Sequence, residues 1–143
     1  MRAQRMASAA LALSIGLAAG DALAAGKRVK LTGEIIDSFC AISGIMFGLG
    51  TAHHQCAVWC AVGGVPIGIL GEDGKAYLIL KVEGEDANLA PQTLVNIQTH
   101  KVTVDGELHV RDGVNYLLIS QVLADEGIVN KTHAEHGIVP FGE

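Results

Sequence analysis

The chain lacks the signatures of the commoner enzyme classes: it has no Gly-rich phosphate loop, no Ser nucleophile string and no haem-attaching Cys-x-x-Cys-His. It also has no cluster of Lys and Arg, and its formal net charge is -5, so a phosphate backbone would be repelled and nucleic acid is excluded as a partner. Long polar or single-residue tracts are missing too. Half of the 143 residues are hydrophobic and 17% are charged, which excludes a disordered chain and fits one compact domain. Cysteine is scarce. All three cysteines lie within "CAISGIMFGLGTAHHQCAVWC", from Cys40 to Cys60. An odd number allows at most one internal disulfide and leaves a thiol over.

The first residues form a separate unit. Met1-Arg2-Ala3-Gln4-Arg5 is a short basic start, Met6 to Ala19 is an unbroken run of small and apolar residues, and Ala22-Leu23-Ala24 has the small-x-small pattern that a signal peptidase accepts. Residues 1–24 are therefore expected to be a secretory signal peptide, with an uncleaved membrane anchor as the alternative. No cysteine stands at the cleavage point, which argues against a lipoprotein, and no paired arginines precede the apolar run. The expected location is periplasmic or secreted, with no membrane attachment after cleavage. Losing Arg2, Arg5 and Asp21 with the leader makes the remainder more acidic still. Export also changes what the thiols can do, because an oxidising compartment lets them pair. A leftover thiol then serves as a metal ligand, a redox group or an intermolecular link.

Beyond the leader, "RVKLTGEIID" (28–37) reads as a strand in which Gly33 is a bend or bulge. Ala41–Gly50 reads as a glycine-rich loop, and 52–62 as a helix capped by Thr51 and stopped at Gly63-Gly64. "VPIGIL" and "AYLILKV" flank a Gly71-Glu72-Asp73-Gly74 turn and form a hairpin. "LAPQTLVNIQTH" contains a short helix, and "KVTVDGELHVR" and "VNYLLISQV" flank an Asp-Gly turn in a second hairpin. The expected fold class is mainly β, a small five-stranded OB-like barrel with a short Cys/His helix inserted after strand 1; a two-sheet sandwich is the alternative. The expected layout is a signal peptide at 1–24, a barrel domain at 25–126 with the insert at 38–64, and a tail at 127–143 that wraps the surface or stays mobile.

Successive helical residues turn by about 100°, so His53, Cys56 and Cys60, at i, i+3 and i+7, share one face. His54 points about a quarter-turn away. If the glycine loop folds back, Cys40 joins that face and completes a Cys3His set, which suits zinc and, through its soft thiolates, Cu(I). Asp37 is placed to accept a hydrogen bond from His53. Met46 either adds a thioether or packs. Two other readings of the thiols remain open. A disulfide from Cys40 to Cys56 or Cys60 would staple loop to helix, and Cys56-x-x-x-Cys60 at a helix start could support thiol-disulfide exchange. His133 and His136 have helix-compatible metal spacing but read as a solvated tail, His100 and His109 as surface residues, and Trp59 as a packing residue.

The string Cys40…His53-x-x-Cys56-x-x-x-Cys60-x-x-x-Gly64-x-Pro66, after "TGEIIDSFC", resembles a motif of small exported bacterial proteins. The later hairpin "KVTVDGELHVRDGVNYLLIS" is similar as well and suggests an OB-like barrel. The resemblance implies the ligand set Cys40, His53, Cys56 and Cys60 and leaves His54 outside it; it implies no particular reaction. The expected function is a periplasmic protein holding one zinc or copper ion in a structural, metal-handling or electron-transfer role beside a larger exported complex. The alternatives are a disulfide-stapled binding module for a partner protein or small ligand, and a thiol-disulfide oxidoreductase. Four protein ligands leave no open position for substrate, which argues against hydrolysis.

Overall fold

The computed structural model describes residues 26–85 and 90–132. The expected signal peptide and the His133/His136 segment lie outside the described residues. Five strands carry the fold: β1 (Lys27–Asp37), β2 (Ile67–Gly71), β3 (Ala76–Val82), β4 (Lys101–Arg111) and β5 (Val114–Asp125). Three short helices interrupt them: α1 (Ser38–Ser43) and α2 (Gly50–Val62) after β1, and α3 (Gln92–Asn96) between β3 and β4. Among the described residues no helix is long and apolar enough to cross a membrane.

The strands close into a barrel in the order β1-β2-β3-β5-β4. All pairings are antiparallel except β3 with β5, which run parallel. Closure depends on β1, whose first part pairs with β4 and whose last residues, Gly33–Asp37, pair with β2. Gly33 belongs to both ladders without a register shift, so it is a point of close approach rather than a bulge. A Cβ there would lie 2.3 Å from the Leu70 carbonyl oxygen. The bulges fall instead in β3 and in the β4–β5 ladder, where they bend the sheet toward closure.

Alternation along the strands fills the interior. Ile35, Ile69, Val102, Val104, Leu117 and Ile119 are essentially inaccessible, and each such side chain contributes about 1.5–3 kcal/mol relative to exposure. Leu94 of α3 plugs the same core, and so does Ala61 of α2. The insert helix is therefore seated on the barrel rather than held out in solvent.

After β5 the chain does not leave the surface at once. Glu126 N–H donates to the Lys101 carbonyl (2.9 Å) and Lys101 N–H to the Gly127 carbonyl (3.0 Å). Asn130 then accepts from Thr51 N–H at 3.1 Å, which places the start of the tail against the first turn of α2.

Candidate metal centre

The site is built where β1 ends. The backbone of Asp37 is extended, and its Oδ1 accepts from Phe39 N–H (2.9 Å) and Cys40 N–H (3.2 Å). This is an N-cap, and it satisfies donors that a helix start leaves unpaired. It creates α1, so Cys40 sits on a helix rather than at the mouth of the expected glycine loop. The cap also turns Cys40 inward, where it is 3% exposed. The helix ends at Gly44, whose N–H donates to the Cys40 carbonyl.

The second helix opens one residue before the expected Thr51 cap. Leu49 is its N-cap residue and makes no side-chain bond. The free donors are met from elsewhere: Gly50 N–H donates to Glu34 Oε1 of β1 at 2.6 Å, and Thr51 N–H to Asn130. Gly50 has φ +59°, and a Cβ on it would stand 1.7 Å from the Asn130 carbonyl oxygen, so only glycine fits. Thr51 is buried inside the helix instead of capping it. His53, Ala57 and Ala61, spaced by four, form the face that packs inward.

These two helix starts bring the sulfurs together. The Sγ atoms of Cys40, Cys56 and Cys60 all lie within 4.8 Å of one another. A second group, Asp37, Cys40 and His53, meets the same limit, with Cys40 common to both. His53 thus comes to the cluster on the Cys40 side, paired with Asp37, and the site is two overlapping triads. His53 Nε2 is 3.5 Å from Asp37 Oδ2; both are buried, and neither atom has a hydrogen-bond partner. No disulfide joins the thiols: all three cysteines are free.

The electrostatics favour a cation. The Cys60 thiol is pushed up to about 12, first by the Asp37 carboxylate turned toward it and then by burial. Burial, followed by Asp37, pushes Cys40 up to about 11. Burial alone would raise Asp37, but the Cys60 thiol, the Cys40 amide and thiol and the His53 ring outweigh it, and its carboxyl lies below the ordinary value. By itself the site therefore holds the Asp37 carboxylate beside the neutral thiols of Cys40 and Cys60. A bound cation reverses the balance, since its charge stabilises thiolates and carboxylate together.

The neighbouring histidine has another task. His54 Nδ1 lies 3.0 Å from both the Gln98 carbonyl and Thr99 Oγ1, and its ring stacks on His100 at 6.3 Å. It ties α2 to the segment before β4 and takes no part in either triad. His100 also pairs with Asp125 (2.9 Å) and His109 with Glu107 (3.2 Å), in partly exposed positions. Trp59, expected to pack, is 69% exposed, and Met46 is more than half exposed on the loop. The expectation of Asp37 beside His53 leaves out its second role as the cap of α1. Its signal was an Asp three residues before a Cys at a strand end, which is N-cap spacing.

No protein-family model matches the chain, and no curated protein or solved structure matches it either. The class suggested by the motif therefore gains no support from relatives, and the reading of the site rests on its geometry.

Proposed function

We propose that this protein is an exported binder of one zinc or copper ion, held by Cys40, Cys56 and Cys60 as thiolates and His53 as neutral imidazole. The observation that carries the proposal is the convergence of three free sulfurs beside the buried Asp37 Oδ2 and His53 Nε2, 3.5 Å apart and each without a hydrogen-bond partner. Buried polar atoms without partners are rare in native folds, and a bound ion is one of their ordinary explanations. The donor set suits the ion: soft thiolates and an imidazole match zinc or Cu(I), and Asp37 would orient His53 from behind. When bound, the ion would cross-link α1 to α2 and so fasten the insert to the barrel.

With four protein ligands the role is structural, metal-handling or electron-transferring rather than hydrolytic. The leader-like N-terminus supports work outside the cytosol, beside other exported proteins. The strand order, with β3 and β5 parallel, supports an OB-like description of the barrel. As attacking groups in thiol-disulfide exchange Cys40 and Cys60 are disfavoured, because that chemistry needs a depressed thiol pKa and both are shifted the other way.

Elemental analysis of the processed protein, combined with counting of reactive thiols, tests the proposal. One metal per chain with three protected thiols is expected. An absence of metal together with a single reactive thiol would replace it with the disulfide-stapled module.

A further inference from the structure

From Ser38 to Gly71 the chain contains no Asp, Glu, Lys or Arg, although 17% of all residues are charged. This span is not hidden. Phe39, Ile42, Ile45, Met46 and Phe47, on α1 and the loop after it, are each between 54% and 65% exposed. Three of them, Ile42, Met46 and Phe47, line a groove of about 360 Å3 with Ile36, Leu49 and Leu70. The charged residues at its edge are already neutralised within the chain, Glu72 by Lys101 (2.7 Å) and Asp73 by Lys75 (3.4 Å). An aromatic- and Met-bearing centre without charge, bordered by polar residues, is the composition of an interface core and its rim.

We infer that this face is the contact between two copies of the chain. At roughly 100 Å2 for each of the five side chains, the patch is about 500 Å2, toward the upper end of what monomers expose and, with the groove beside it, approaching the ~800 Å2 per partner of a standard interface. Each copy has a net charge of -5, and among the described residues a contact through Ser38–Gly71 buries no Asp, Glu, Lys or Arg of that span. A lipid surface fits less well, because interfacial segments commonly use Lys or Arg toward anionic headgroups and this span has neither. The inference stands on the apolar face alone and is independent of the metal reading.

Sedimentation equilibrium of the processed protein over about 1–100 μM decides it. The expected result is a reversible dimer whose Kd rises at least about 100-fold in Ile45→Glu and Phe47→Glu, both exposed positions whose folding is checked by circular dichroism. Val110→Glu, an exposed apolar site on β4 away from the patch, should leave the Kd unchanged. A monomer throughout the range overturns the inference, and its co-flotation with phosphatidylcholine vesicles would assign the face to lipid. A dimer indifferent to Ile45→Glu and Phe47→Glu overturns it as well.

Discussion

Asp37 Oδ2 stands 3.5 Å from His53 Nε2, with both side chains buried and neither atom otherwise hydrogen-bonded. This contact separates the two adjacent histidines by partner, since His54 faces Gln98 and Thr99 instead. His53→Ala should lower metal affinity at least about 100-fold, and Cys56→Ser should abolish binding. His54→Ala should keep one metal per chain and cost about 1 kcal/mol through the lost contacts to Gln98 and Thr99. Metal titration and thermal unfolding of the variants check both halves.

Asp37 raises the two shifted thiols for different reasons. Its carboxylate is the main cause at Cys60, whereas burial leads at Cys40. In the metal-free protein Asp37→Asn keeps an oxygen for the α1 cap and removes the charge. The Cys60 thiolate should then form at distinctly lower pH, from a starting value of about 12, with a smaller change at Cys40. Thiolate absorbance against pH in single-cysteine variants measures this, and equal shifts at the two sites would count against the assignment.

Glu34 links the barrel to α2 through Gly50 N–H. Burial raises its carboxyl above the ordinary 4.5, and the Gly50 bond only partly offsets that. The folded state therefore holds this proton more tightly than the unfolded chain does. The associated stability is complete below 4.5 and declines as pH rises through the higher folded value. Glu34→Gln, which keeps the acceptor without the charge, should flatten this part of the stability curve. Glu34→Ala should cost about 1–2 kcal/mol by leaving the helix start unpaired. Denaturant unfolding from pH 4 to 8 distinguishes the two variants.

Gly50→Ala should be among the most damaging small substitutions. It combines a left-handed backbone with a Cβ placed 1.7 Å from the Asn130 carbonyl, and a loss of about 2–4 kcal/mol is expected. Because Asn130 must move, proteolysis after residue 125 should quicken in this variant before the barrel unfolds.

Metal removal should act mainly on the insert. Chelation is expected to lower the unfolding temperature and to raise thiol reactivity at Cys56 and Cys60, which are half-buried, before Cys40, which is 3% exposed. Amide exchange should speed up in α1 and α2 and stay slow in β1, β4 and β5.

Much of this was legible along the chain. The alternation in 101–111 and 114–122 around an Asp-Gly turn specified the β4–β5 hairpin, and the apolar runs around Gly71–Gly74 specified the β2–β3 hairpin. Helical spacing predicts one face for His53, Cys56 and Cys60 with His54 turned away; in the structure Cys56 and Cys60 meet Cys40, while His53 meets Cys40 and Asp37. The hairpins and the helical spacing are consequences of backbone and side-chain geometry within a few residues, which any local stretch carries with it. The sequence by itself determined the five strands, the body of α2 and the supply of donor atoms, but not α1. Only the tertiary structure decided that Cys40 reaches the α2 sulfurs through an Asp37-capped helix and that Asn130 shapes the start of α2. Those pairings join residues far apart in the chain. They form because closing β1 against both β2 and β4 buries the core and satisfies the backbone at once, a condition no short window contains.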